Sequence, residues 1–298
     1  MNISAVIVTY NRKESLIKTL QYFDELTSPP ESIIIVNNNS TDGTDDVIKA
    51  WNKKTKYTNV HHINLSENIG GSGGFYEGIK YALNLNAEWI WLSDDDAFPD
   101  KNCFSLIRDK IKKIKTDNYS AICCSVINNG YIDKAHRRRI LNHKVIFKKE
   151  RSVPLIEYDK PEFELDLFSY VGTVINAGKI KKAGLTDKDY FIWNDDTEHS
   201  WRLSKIGKII CIPKAKIYHD TPSLTKEITW KTFYGERNKL FMYKKHAYLT
   251  YLKMLFQLRK RISKSNISHE KKLLKSVLYS VQKNKKGTDE IYNPRWRP

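Results

Sequence analysis

Three consecutive aspartates, Asp94-Asp95-Asp96, follow directly on the apolar run Trp89-Ile90-Trp91-Leu92. Side chains alternate along a strand, so Asp94 and Asp96 at its end point the same way and offer oxygen ligands to a hard divalent cation, with positions left open for a diphosphate. A solvated acidic turn is the bland use of such residues. Three carboxylates at the end of a buried strand are nevertheless costly unless a cation joins them. A second cluster, Trp193-Asn194-Asp195-Asp196-Thr197-Glu198, is followed by Arg202. At a helix start the dipole and free N–H groups keep a carboxylate ionised, which suits a general base facing a hydroxyl; an acidic cap with a Glu198–Arg202 pair is the structural use of the same residues. His219 follows the apolar-basic run 209–218 and precedes Asp220, and a neutral imidazole can complete a carboxylate metal site. The glycines of Asn68-Ile69-Gly70-Gly71-Ser72-Gly73-Gly74 allow close backbone approach to a nucleotide. They fail the dinucleotide fingerprint, because counting from Gly71 the third glycine falls at Tyr76, and no G-x-x-x-x-G-K-[ST] loop is present.

The elements that must position these residues read as β-α-β units around a largely parallel sheet. Ile3 to Thr9, Ser32 to Val36, Val60 to Leu65 and Glu88 to Leu92 read as strands, with helices from Glu14 to Leu26, from Thr44 to Trp51 and from Phe75 to Leu85. Ser66 to Gly74 reads as a loop leading into the third helix. Ligands of open α/β sheets gather at the carboxyl ends of strands, so polar clusters after three strands point to one site. The segment from Asn128 to Glu164, with the basic run His136-Arg137-Arg138-Arg139, reads as a loop-rich excursion. Leu167 to Asn176 reads as a strand, Lys179 to Ala183 as a short helix ended by Gly184, and Asn194 to Arg202 as the opening of another helix. Beyond Trp230 the pattern is helical, with Tyr248, Tyr251, Leu252, Leu255, Leu258 and Ile262 on one face and Lys253, Arg259, Lys260, Arg261 and Lys264 outside it.

The 298 residues suffice for a full core. Cys103, Cys123, Cys124 and Cys211 form no C-x-x-C pair, which argues against a disulfide framework or structural zinc and for a reducing compartment. No secretory signal is expected at the N-terminus, and no membrane-spanning run of apolar residues occurs. The formal charge of +17 is concentrated: from Lys226 to Pro298 there are 19 Lys and Arg against 5 Asp and Glu, a net of +14. That region calls for an anionic partner, such as a nucleic acid, an acidic membrane face or a phosphorylated acceptor.

The order Val8-Thr9-Tyr10-Asn11-Arg12, Val36-Asn37-Asn38-Asn39-Ser40-Thr41-Asp42-Gly43-Thr44, Asn68 to Gly74, Asp94 to Asp96 and Asp195-Asp196-x-Glu198 resembles glycosyltransferase family 2 with the GT-A fold, over about residues 1 to 240. The glycine-rich segment through Phe75, the triple aspartate, His219 and Tyr234-x-x-Arg237-Asn238 look most like its bacterial galactofuranosyl and rhamnosyl branch. The resemblance implies an α/β GT-A catalytic domain over 1–225 and a basic, mainly helical region over 226–298. It places Thr9, Tyr10, Asn11, Asn37, Asn38, Asn68, Gly71, Gly73, Gly74, Asp94 and Asp95 on the donor. It assigns Asp94, Asp96 and His219 to Mn2+ or Mg2+, Asp196 to the base with Asp195 in reserve, and Trp193 and Glu198 to the acceptor side. Asn37 stands where many members carry an aspartate for uracil; an amide carbonyl still accepts from a pyrimidine N3–H, which leaves uridine and thymidine both open.

The expected reaction is an inverting transfer of galactofuranose or rhamnose from a UDP- or dTDP-sugar. The acceptor is a hydroxyl of a saccharide, carried on a lipid diphosphate, in bacterial surface polysaccharide synthesis. The expected location is cytoplasmic, peripheral at the inner membrane face, with no nucleic acid bound. Packing of the C-terminal stripe on the catalytic domain or on a second subunit, with the lysines only solvating it, is the other use of the basic region. Two other classes fit parts of the sequence. A nucleic-acid-binding protein would use the basic arm but leaves the acidic clusters idle, and a sugar nucleotidyltransferase would need a triphosphate loop where the chain has Thr9-Tyr10-Asn11-Arg12-Lys13.

Overall fold

The computed structural model describes residues 1–141, 147–219 and 227–297. Asp220 and the boundary at 225/226 lie outside these residues. The four apolar runs near the N-terminus form β1 (Ile3–Thr9), β2 (Ser32–Asn37), β3 (Val60–Asn64) and β4 (Trp89–Asp94), joined by α1 (Lys13–Asp24), α2 (Thr44–Lys54) and α3 (Gly70–Asn84). They pair in parallel in the order β4-β1-β2-β3. Every residue of β1 and β2 is buried, as a parallel sheet with helices on both faces requires.

Past β4 come β5 (Ala97–Pro99), α4 (Cys103–Lys113), β6 (Tyr119–Asn128), β7 (Tyr131–Ile132), β8 (Arg137–Leu141), β9 (Lys149–Ser152), β10 (Phe163–Leu165), β11 (Leu167–Phe168), β12 (Thr173–Asn176), α5 (Ala177–Ala183), α6 (Asp195–Ser204) and β13 (Lys208–His219). The main sheet runs β10-β13-β6-β12-β4-β1-β2-β3, and four of the seven pairings along it are parallel. β12 enters antiparallel between β4 and β6, which carries the sheet past β4 and brings β13 to the site. Cys103, Cys123, Cys124 and Cys211 are all free and fully buried around this extension, with Cys103 Sγ 3.5 Å from Cys124 Sγ.

Three expectations are corrected. α3 begins at Gly70, so most of the glycine-rich loop is helical. Among its described residues the excursion 128–164 contains four strands, and its basic run is mostly strand β8, paired with β9 and β11 in a second sheet. The strand expected over Leu167 to Asn176 is broken: the chain changes sheets at a turn where Gly172 has φ +65° and its Cα lies against Ile217, with no room for a Cβ.

The remainder is α7 (Trp230–His246), α8 (Tyr248–Lys264) and α9 (Ser268–Gln282), with α7 opened by a capping box between Thr229 and Thr232. These helices share one apolar cluster with Tyr190, Phe191 and Trp201, which flank the second acidic cluster. The expected stripe on α8 is divided: Tyr251, Leu255 and Leu258 face this cluster, whereas Tyr248 and Leu252 are exposed together with Leu249 and Phe256. Among the described residues no helix is long and apolar enough to cross a membrane.

Candidate active site

β4 ends beside Val8 of β1, so its carboxyl end and that of β1 open on the same side of the sheet. The last residue of β13, His219, pairs with Ala97 of β5, one residue beyond the triple aspartate. That register brings ligand atoms of Asp94, Asp96 and His219 within 4.8 Å of one another. Asp95 faces the other way: its carboxylate accepts from Thr9 Oγ1 at 2.7 Å and from Arg12 at 3.2 Å, and its carbonyl accepts from Thr19 Oγ1 at 2.7 Å. Arg12 also ion-pairs with Asp96.

The electrostatics suit a cation. Burial, then the neighbouring Asp96, pushes the Asp94 carboxyl up to about 7, and burial and Asp96 likewise push Asp95 up to about 6. Burial pushes Asp96 up as well, yet hydrogen bonding and charge from His219 and Arg12 outweigh it and hold this carboxyl below its usual range. Two carboxylates and an imidazole, crowded and mostly buried, offer the oxygen donors that a hard divalent cation takes, with one nitrogen ligand beside them.

Asp195 and Asp196 open α6 next to this group. Asp195 is buried, and burial with the adjacent Asp196 pushes its carboxyl well up. Asp196 keeps partial exposure. Burial raises it too, while Arg138 and Thr197 oppose that shift, and Thr197 Oγ1 donates to Asp196 Oδ1 at 3.0 Å. The segment entering α6 is strained: Phe191, Trp193 and Asn194 have φ of +65°, +66° and +66°. Non-glycine residues in such conformations cost on the order of 1–3 kcal/mol each and persist only where their surroundings enforce them. Trp193 emerges from this segment 43% exposed, which leaves its ring open to a partner.

The other expected residues divide into ligand-facing and structural positions. Asn38 is buried and its amide spans the glycine-rich backbone, donating to Gly70 O at 2.9 Å and accepting from Ile69 N at 3.0 Å. Asn68 Oδ1 accepts from Gly70 N, and Asn37 Oδ1 from Ser40 N. Asn11 joins the loops after β1 and β2 through Ser40 and Thr41, and the adjacent Tyr10 is half-buried. At Gly73 and Gly74 a Cβ would lie 2.6 Å from Ile69 and 2.5 Å from Val8, so these glycines serve packing; Gly71 has open space. Glu198 is not brought to the acids. It is fully enclosed, bound by Arg202, Lys245 and His246, and the i, i+4 pair seen in the sequence is one of these three contacts.

Sequence reasoning missed four residues around the acids. Arg12 lay inside a motif but was given no role. His136 stands edge-on to His219 with ring centroids 5.3 Å apart, its Nδ1 2.6 Å from Ser169 Oγ. Arg138 ion-pairs with Glu150 and donates to Thr197 Oγ1 at 2.6 Å. Lys231, half-buried on α7, has its ammonium pushed down by burial and by Arg12, against the opposing pull of Asp96 and Asp94. The basic run His136-Arg137-Arg138-Arg139 was the available signal for His136 and Arg138.

The sequence profile of glycosyl transferase family 2 matches residues 4–173. The chain belongs to this family. It is 25% identical over 206 residues to the galactofuranosyltransferase GlfT1 of Mycolicibacterium smegmatis, a match that covers 69% of this chain and 66% of that relative, just under two thirds of its length. It is 30% identical over 224 residues to the dTDP-rhamnosyl transferase RfbF of Shigella flexneri, covering 73% and 69%. Among solved structures it is similar to the mannosyltransferase PcManGT from Pyrobaculum calidifontis, in complex with GDP-Man and Mn2+, with a TM-score of 0.60 at 12% identity over 95% of this chain and 88% of that one. The fold of this family 2 member is GT-A, as the motifs implied. Family membership favours sugar transfer over the nucleotidyltransferase alternative for the sheet that bears the acids.

Proposed function

We propose that this protein is a metal-dependent, inverting glycosyltransferase that moves galactofuranose or rhamnose from a UDP- or dTDP-sugar to a hydroxyl of a saccharide acceptor. The observation that carries the reading is the convergence of Asp94, Asp96 and His219 within 4.8 Å, beside the acidic start of α6. When bound there, Mn2+ or Mg2+ supplies neutralisation of the charge that develops on the leaving diphosphate. Arg12 and Lys231, on the rim of the same acids, add fixed positive charge for the diphosphate. Asp196 accepts the proton of the acceptor hydroxyl, which attacks the anomeric carbon from the face opposite the diphosphate and inverts its configuration. Its partial exposure and the opposing pull of Arg138 favour it over the enclosed Asp195, whose carboxyl burial pushes well up. Trp193 offers a ring face to the acceptor sugar.

The acceptor is proposed to be lipid-diphosphate-linked and the location the cytoplasmic face of a bacterial membrane. The exposed Tyr248, Leu249, Leu252 and Phe256 of α8, beside Lys253 and within the region of net charge +14, support an anionic surface as partner. A panel of nucleotide sugars offered with and without EDTA tests the central reading. Transfer or slow hydrolysis of one uridine or thymidine diphosphosugar should be abolished by chelation and by Asp96→Ala; full activity after either would remove the metal assignment.

A further inference from the structure

The helical region beyond the catalytic sheet carries two buried polar residues that the proposed reaction does not use. Arg237 is 2% exposed and Asn238 is fully buried, both on the inner face of α7. Asn238 Nδ2 donates to the carbonyls of Tyr190, Ile192 and Trp193 at 2.8, 2.9 and 3.0 Å. The amide is held in that orientation because its Oδ1 accepts from Arg237 Nε at 3.0 Å, which only the oxygen can do. Arg237 in turn donates to Gly287 O at 2.8 Å and to Asp189 O at 3.3 Å, and its guanidinium lies over the Tyr234 ring at 4.9 Å. All three carbonyls bound by Asn238 belong to the segment in which Phe191, Trp193 and Asn194 hold positive φ.

The same segment is fixed from two further directions. Ser72 N, in the first turn of α3, donates to Phe191 O at 3.1 Å, and a Cβ on Gly70 would fall 2.0 Å from that oxygen. On the α7 side Asn194 Nδ2 donates to Gly235 O at 3.1 Å, and the Trp193 ring covers Gly235 so closely that a Cβ there would be 2.7 Å from Trp193 Cε3. A strained turn that leads straight into two adjacent aspartates, and that a buried amide grips at three carbonyls, is a conformation maintained by α7.

We infer that Asn238, oriented by Arg237, is the positioning residue that holds the 190–194 turn so that Trp193 faces the acceptor and Asp196 faces the attacking hydroxyl. The inference rests on the proposed reaction for the roles of those two residues. The C-terminal helices thereby complete the acceptor half of the site, while the donor half stands mainly on the sheet and α3, with Lys231 of α7 at its rim. Without the amide donors, Trp193 and Asn194 relax to negative φ and the start of α6 shifts, but Asp94, Asp96 and His219 stay in place.

Asn238→Asp tests this, since it keeps the size and removes both donors. Arg237→Lys is the milder second variant, which keeps the charge and loses the fork. The expected result for Asn238→Asp is a fall in kcat of about 10- to 100-fold with a raised acceptor KM, as a displacement of about an ångström at the reacting groups would give. Donor affinity measured by calorimetry should stay within about twofold of wild type. Hydrogen exchange should quicken in peptides covering 186–198 and stay unchanged in those covering β1 and β4. Exchange that quickens equally in β1 and β4, or a loss of kcat no larger than the loss of folded protein, would overturn the positioning role and leave a merely structural one. Unaltered exchange at 186–198 in both variants would overturn it too. Failure of the wild-type protein to transfer from any donor would sink the proposed reaction alone, because the exchange measurement still decides whether Asn238 holds the turn.

Discussion

Asp94 and Glu198 are both acidic residues in motifs, yet the structure gives them opposite surroundings. Asp94 is crowded by Asp96, whereas Glu198 is enclosed by Arg202, Lys245 and His246. The sequence showed Arg202 one turn on but nothing of Lys245 and His246, which arrive from the end of α7, so the enclosure was not readable and Glu198 was expected on the acceptor side. Burial pushes the Glu198 carboxyl up, but hydrogen bonding from His246, the charge of Arg202 and the bond from Lys245 outweigh it and hold the carboxyl far below its usual range. A carboxyl with a depressed folded-state pKa contributes stability above its unfolded value of about 4.3, and that contribution is lost as pH falls below it. Glu198→Gln should therefore cost about 2 kcal/mol at pH 7, discounted for the half-exposed Lys245, and the difference from wild type should shrink in urea titrations toward pH 3. A difference that did not change with pH would mean that shape and not charge holds this contact.

At the scale of elements, β1, β2 and β4 were legible because parallel strands buried on both faces are continuous apolar runs. The excursion 128–164 was not, because its strands are short and β8 and β10 find partners in β11 and β13, outside the excursion. The glycines before Phe75 were read as a ligand loop; the structure makes them helical and sets Gly74 against β1. Substitution separates the two uses. Gly74→Ala puts a Cβ 2.5 Å from Val8 Cγ1 and should destabilise by about 1–3 kcal/mol in denaturant melts, despite the intrinsic helix preference of alanine. Gly71→Ala meets nothing within 4 Å and should leave stability unchanged or slightly raised. Equal effects at the two positions would contradict the packing role of Gly74.

For the whole molecule, the region beyond Trp230 has an inner face that meets residues 190–201 and an outer face bearing Leu249, Leu252 and Phe256. Helical spacing alone placed Tyr251, Leu255 and Leu258 on one face together with Tyr248 and Leu252; only packing on α7 and α9 shows that the first three point inward and that the free apolar residues lie beside them. With each basic residue near an anionic surface worth roughly 1 kcal/mol, sedimentation should show binding to phosphatidylserine-containing vesicles at low salt and release at high salt. Phe256→Ser should weaken that binding without loss of donor turnover, and equal indifference to anionic and neutral vesicles would reject the surface. A different property follows from the four buried thiols. They lie on α4, β6 and β13, all of the cysteines the chain has, and none is on α7, α8 or α9. A thiol-labelling reagent therefore finds nothing to modify until the central sheet itself opens, and the rate of its colour change is a clock for rupture of the catalytic core that takes no account of fraying in the C-terminal helices.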